Sequence, residues 1–299
     1  MKSLTVLLLV AGFVGCDKFN PTEPSGFRGG SAPTTATASM GPLAFVSTRD
    51  GTSYIYVANS DGSNATRLVP GERPAWSADG SRIAFQRGSP VPSVYVMNVD
   101  GSGVQLLGKG AAPAWSPDGR LAFYESGLHS SILVMNSDGS NRAVLAKPGF
   151  RSADDGLIAP FWSPDGQSIG FVAGNFDEIK QIYIVTAGGA PHVLIDGSGT
   201  QSDPKWSPDG SRVAFISVFT LQTVQVDGTG LQSPVSADVG DLDWGPAGQF
   251  VFSRLVGPSG AGASTRIFVG IGGTMRQLVP DAPGVSVNYL DHQPAWSRR

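Results

Sequence analysis

The last six residues of the sequence, PAWSRR at 294–299, repeat the opening of a phrase that occurs in full earlier in the chain. PAWSADGSRIAF spans 74–85, PAWSPDGRLAF 113–123, PFWSPDGQSIGF 160–171 and PKWSPDGSRVAF 204–215, and a worn copy, LDWGPAGQFVF, spans 242–252. All six tryptophans occupy the same slot of this phrase, at spacings of 39, 47, 44, 38 and 52 residues. A self-similar period of about 40 to 50 residues marks the blades of a propeller.

Each unit follows the same order. P-x-W-S-P-D-G reads as a short strand running into an Asp-Gly turn, followed by an apolar triplet such as Ile83-Ala84-Phe85 or Val213-Ala214-Phe215. A β-rich run comes next (YIYVAN at 54–59, VYVMN at 94–98, ILVMN at 132–136), then a second turn, usually Asp-Gly, and a fourth strand such as TRLV, VQLL or RQLV. Asp-Gly between apolar runs signals a hairpin, because glycine accepts the positive φ that such turns require. The unit is therefore a four-stranded antiparallel meander. Its strands are apolar on both faces, which suits sheets covered on both sides, and radial stacking of blades covers them that way. The tryptophans and the Asp-Gly turns are read as scaffold, not as a site.

The first unit alone lacks a tryptophan strand. It opens at Leu43-Ala44-Phe45, which corresponds to a second strand, and PAWS at 294–297 supplies the missing first one. The expected fold is all-β: a six-bladed β-propeller of four-stranded antiparallel blades over 41–299, closed by the C-terminal strand pairing into blade 1.

Composition agrees with this reading. The 299 residues include 40 Gly and 22 Pro, and only 15% are charged, a balance that favours turns and strands over helices. A net charge of −3 offers no basic face for nucleic acid. Residues 1–15 form a different segment: Met1-Lys2, then an apolar run from Leu4 to Val14, too short to span a bilayer core of about 30 Å and read as a secretory signal. Cys16, the only cysteine, follows in FVGC, which resembles the lipobox of bacterial lipoproteins, whose cysteine is acylated. That resemblance implies a chain in the bacterial cell envelope, on the periplasmic or surface side, held to the membrane through lipidated Cys16 alone. Residues 16–40, rich in Pro, Gly, Ser and Thr, have almost nothing to bury and read as a flexible linker.

The wording PxWSPDGxxIAF…IYVMNxDG resembles the TolB-like β-propeller repeat. The likeness covers about 41–299, is nearly verbatim in blades 2 to 5, and thins in blade 6, where GPAG and GIGG replace both Asp-Gly turns. TolB is a periplasmic partner-binding protein of the Tol-Pal envelope system whose propeller follows an α/β domain. The residues before 41 read here as signal and linker, so the resemblance implies propeller-mediated protein binding, not the specific Tol-Pal role.

Motifs for chemistry are weak. No serine stands in the G-x-S-x-G elbow of α/β hydrolases. GVQLLGKG at 103–110 imitates a phosphate loop but lacks the Ser/Thr that would hold Mg²⁺. His129, His192 and His292 lie in different blades without ligand-like spacing, and the NSDG and NVDG segments lack the alternating carboxylates of a calcium loop. No catalytic residue, metal or cofactor is assigned.

Function is then expected in the loops that lead from a fourth strand to the next first strand and gather around one mouth of the channel. They carry nine acids against four bases. Such a rim attracts a basic or mixed-charge ligand, with salt weakening the encounter; alternatively, the acids are simply turn residues. The residues expected at the mouth are Arg73, Asp154, Asp155, Asp203, Asp241, Tyr289, Asp291, His292 and Gln293, with Ala112 and Ala159 leaving room on one side. The leading reading is a monomeric, non-catalytic scaffold for a protein or peptide ligand. The alternatives are a glycan- or peptide-processing enzyme or a glycan-binding module at the same mouth, with Asp203, Asp241 and His292 as acid/base set, and a structural envelope protein with no specific ligand.

Overall fold

The computed structural model describes residues 41–125, 131–146, 159–174, 180–186, 189–195, 200–235, 238–256, 264–271, 274–279 and 291–297. They form six four-stranded antiparallel sheets. Blade 2 shows the plan: Glu72–Trp76, Arg82–Arg87, Ser93–Asn98 and Gln105–Lys109, paired in that order. The segments read as signal and linker, including Cys16, and Asp154, Asp155 and Tyr289, expected at the mouth from the sequence, lie outside the described residues.

Alternation along the strands explains why they are apolar on both faces. Side chains of successive residues point to opposite sides of a sheet. In blade 2, Ile83 and Phe85 pack with Ala44, Ile55 and Trp76 toward blade 1. Their neighbour Ala84 packs with Val94 and Val96 against Leu121, Phe123 and Leu133 of blade 3. The same division recurs around the ring, so that the core consists of six clusters, one at each junction between blades. Each junction receives one tryptophan from its own repeat. Within blades, the Phe of the apolar triplet stacks on the aromatic opposite it: Phe45 on Tyr56 at 5.5 Å, Phe85 on Tyr95 at 5.4 Å and Phe171 on Tyr183 at 5.6 Å between ring centres. Such pairs add about 0.5–1.5 kcal/mol beyond area burial.

The turn chemistry of the repeated phrase is visible in its hydrogen bonds. In W-S-x-D-G the serine is buried, accepts a backbone N–H from the start of the next strand (Arg82 to Ser77 at 2.9 Å, Arg212 to Ser207 at 2.9 Å), and donates its hydroxyl to the turn aspartate (2.6 Å to Asp79 and to Asp209). That aspartate in turn accepts the N–H two residues on, from Ser81 and Ser211 at 3.0 Å. The N-x-D-G turns work alike: Asp61, Asp100 and Asp138 accept from Ser63, Ser102 and Ser140 at 2.9 Å. These carboxylates serve their own turns. Both turn families lie at the same end of the antiparallel blades, whereas the described hairpins between second and third strands, 48–53, 88–92 and 218–219, and the described links between blades, Gly71 and Gly110, lie at the other.

Closure of the ring brings the two ends of the repeat region into one sheet. Asp291–Trp296 is the first strand of blade 1, with Leu43 opposite Trp296 and Ala44 opposite Ala295. Ser297 donates its N–H to Pro42 at 3.0 Å, and the Trp296 indole donates to the Gly41 carbonyl at 2.8 Å. Trp296 is 2% exposed among Leu43, Phe45, Val251 and Ile267, which belong to blades 1 and 6. Gly62, in the outer turn of blade 1, presses on blade 6 so closely that a Cβ there would lie 1.7 Å from the Leu278 carbonyl oxygen, and its φ of +83° disfavours a side chain as well.

Truncation after residue 290 removes this strand and is expected to abolish most of the cooperative transition, whereas Trp296→Ala alone costs about 3–5 kcal/mol. Thermal and urea melts check both; a truncated chain that melts like the wild type contradicts the closure. A second expectation concerns acid. The Ser207 hydroxyl, then the Ser211 N–H, hold the Asp209 carboxyl at about 2, below its ordinary 3.8, and hydroxyl donors lower Asp61, Asp100, Asp138, Asp165 and Asp227 in the same direction. A depressed folded-state value means that the unfolded chain binds protons first, so this stabilisation is whole above pH about 4 and falls away toward pH about 2. Asp209→Asn is expected to flatten the urea midpoint against pH over that window.

Candidate binding site in the central channel

The six first strands line the centre of the ring, and most of them are bent near their start. The residue three places before the tryptophan adopts a left-handed backbone in four blades: Arg73 (φ +52°), Ala112 (+49°), Asp203 (+46°) and Gln293 (+49°). The pairing register slips at each of these points. A bulge of this kind re-aims the side chain and breaks ladder hydrogen bonds, and a left-handed L-residue costs roughly 1–2 kcal/mol. The backbone N–H groups so released need other partners.

Side chains from neighbouring blades supply those partners. Gln293 of blade 1 accepts the Arg73 N–H of blade 2 at 2.7 Å, and Gln86 of blade 2 accepts the Ala112 N–H of blade 3 at 2.9 Å. Asp241 of blade 6 accepts the Gln293 N–H at 3.2 Å and the Ser253 hydroxyl at 3.1 Å. Asp203 of blade 5 accepts the Leu242 N–H at 2.6 Å with one oxygen and pairs through the other with the Lys205 ammonium. One position deeper, buried Asp243 accepts the Trp244 N–H at 2.8 Å and the Trp296 N–H at 2.9 Å. The indoles of Trp76 and Trp244 likewise reach the carbonyls of Ala295 and Lys205 in the preceding blade, at 3.0 and 3.1 Å.

These strands enclose a cavity of about 420 Å³, within the range of about 300–1,000 Å³ typical of ligand pockets. Arg73, Ala112, Ala159, Asp203, Asp241 and Gln293 all line it, so the residues three places before each tryptophan converge. The alanines leave the wall formed by blades 3 and 4 apolar, next to prolines and Phe161. His292 is not among the lining residues; it stands in the closing strand opposite Val46. Asp291 begins that strand opposite Ser47, and its side chain is outside the description.

Two charged residues of the lining, Lys205 and Asp243, were not singled out in the sequence. They occupy the position just before the tryptophan, held by Ala75, Ala114, Phe161 and Ala295 in the other blades, and this break in the repeat was the available signal. With them, the charged lining comprises Arg73 and Lys205 against Asp203, Asp241 and Asp243, closer to balance than the count of rim acids implied. The spare capacity is uneven. Every one of these acids accepts hydrogen bonds within the protein, with one Asp241 oxygen left over, while the guanidinium of Arg73 has no hydrogen-bond or ion-pair partner among the described residues.

No protein-family model matches the sequence, and neither does any curated protein. Solved structures do. TolB from Acinetobacter baumannii superposes with a TM-score of 0.70 at 18% identity, over 86% of this chain and 66% of that one. A putative TolB from Agrobacterium tumefaciens gives 0.59 at 20% identity, over 86% of this chain and 98% of its own. The chain thus spans just under two thirds of the length of the Acinetobacter protein. At these identities the likeness is one of fold: this is a TolB-like six-bladed propeller.

The inter-blade bonds predict a graded response at Asp243. Asp243→Ala leaves the N–H groups of Trp244 and Trp296 buried without partners, at about 1–3 kcal/mol for each unsatisfied group, whereas Asp243→Asn keeps an acceptor and loses less. Urea midpoints measure the difference; equal midpoints for wild type and Asp243→Ala would show that the carboxylate does not fasten blade 6 to the closing strand.

Proposed function

We propose that this chain is a non-catalytic binding scaffold of the bacterial cell envelope, anchored to the membrane through lipidated Cys16, that receives a segment of a protein or peptide partner in the mouth of its channel. The observation that carries this reading is the use of the channel's polar groups. Asp203, Asp241 and Gln293 hold backbone N–H groups of adjacent blades, a role that asks for a fixed, ionised or neutral acceptor and not for a group that exchanges protons with a substrate. His292, the third member of an acid/base set, does not line the cavity. What remains is an open, preformed recess with an apolar wall of alanine and proline, suited to a side chain or an extended segment. The likeness of fold to TolB propellers supports a protein partner. The ligand is of mixed charge: Arg73 and the remaining oxygen of Asp241 offer both signs. No cofactor is required, and the chain acts as a monomer, its membrane contact limited to the lipid.

The test is a pull-down from envelope extract with wild type and with Ala159→Trp, which fills the apolar side of the recess, at low and high salt. The partner is expected to be lost from the filled variant and weakened by salt; a partner set unaffected by the filling removes the channel from consideration. Turnover of a polysaccharide or peptide by the wild type that disappears in Asp203→Asn or Asp241→Asn would replace this reading with the enzymatic one. In parallel, Cys16→Ala is expected to move the protein from the membrane to the soluble fraction.

A further inference from the structure

Within the channel, partner groups are distributed unequally, and the inequality specifies a ligand chemistry that the acidic rim did not suggest. The Arg73 backbone is fixed by its N–H bond to Gln293 at 2.7 Å, in a bulge with φ +52°, and its side chain lines the cavity. The acids nearest in the chain and across the ring bond groups other than the Arg73 guanidinium. Glu72 accepts from Gln86 Nε2 at 3.3 Å, Asp203 holds Lys205 and the Leu242 N–H, and Asp241 holds Ser253 and the Gln293 N–H. Arg73 is therefore the one charged lining residue with no partner among the described residues. In blades 3 and 4 the equivalent positions of the lining are Ala112 and Ala159, which bring no polar side-chain group to the cavity.

A half-buried guanidinium keeps five N–H donors in a planar fork that matches a carboxylate in two-point contact. We propose that Arg73 is the anchor for a carboxylate of the partner segment, carried either by an Asp or Glu side chain or by a free C-terminus, which enters along the alanine wall. This inference rests on the channel reading above and makes it specific: the partner group that matters most is an acid, although the rim is rich in acids.

The test uses the full chain in detergent and a library of displayed random peptides with free C-termini. Peptides retained by wild type but not by Ala159→Trp define channel binders. They are expected to carry an Asp or Glu or to depend on the terminal carboxylate, and resynthesis with Glu→Gln, Asp→Asn or an amidated C-terminus tells the two sources apart. Arg73→Gln is expected to weaken them by roughly 10- to 100-fold, the usual loss for a hydrogen bond to a charged group. Arg73→Lys should recover part of that, because it keeps the charge without the fork. The side chain has no internal partner to orphan, so both variants should melt with the wild type. Channel binders that lack any acid, or that bind Arg73→Gln unchanged, overturn the role of Arg73 and leave the channel reading standing. A library without channel-dependent binders overturns the channel reading and the anchor together.

Discussion

The structure depends on a single act of pairing, in which the strand Asp291–Trp296 adds to Leu43–Ser47 and so completes the first sheet with the last residues. A stack of blades open at both ends would expose two apolar faces of the kind that the other junctions bury, and would present a free strand edge to other chains. Closure removes both hazards at once. It also makes the stability of every blade conditional on the rest, because each second strand divides its side chains between two junctions. A sequence with a single cysteine can form no disulfide within the chain, so the join is made by the Trp296 core, a few backbone hydrogen bonds and the close seat of Gly62.

The channel shows a second constraint. Converging first strands are bulged near the mouth, and the N–H groups freed there must be satisfied in a region of limited space. The chain meets that need with acceptors from adjacent blades, which ties the charged and amide residues of the mouth to the architecture before any ligand arrives. A polar side chain in a channel is therefore not in itself a sign of chemistry. Arg73 differs because the scaffold asks nothing of its guanidinium.

Much of this was legible in the sequence, and the reason is the verbatim repeat. Six tryptophans in one slot set the number of blades, and the missing first strand of the opening unit pointed to PAWS at 294–297. The convergence of Arg73, Asp203, Asp241 and Gln293 followed from their common offset from the tryptophan. Their partners did not follow, because they lie in other blades: Gln293 and Arg73 are 220 residues apart, and Asp203 and Leu242 are 39 apart. No local pattern reports a left-handed residue in a strand when arginine, alanine, aspartate and glutamine all occupy it. Lys205 and Asp243 were less legible because the bulge beside them breaks the simple alternation by which a residue's side of a strand is read.

The Asp-Gly turns lie at one end of the blades that carry them, and the channel reaches from the bulged residues at the other end to Ser77, Pro117, Pro164 and Pro208 of those same turns. The left-handed residues and the turn clasps are thereby held at the two ends of the same set of first strands. A change at the bulged end therefore spares the hydroxyl–carboxylate clasps, but it has to preserve the acceptors that Gln86, Asp203, Asp241 and Gln293 lend to the next blade.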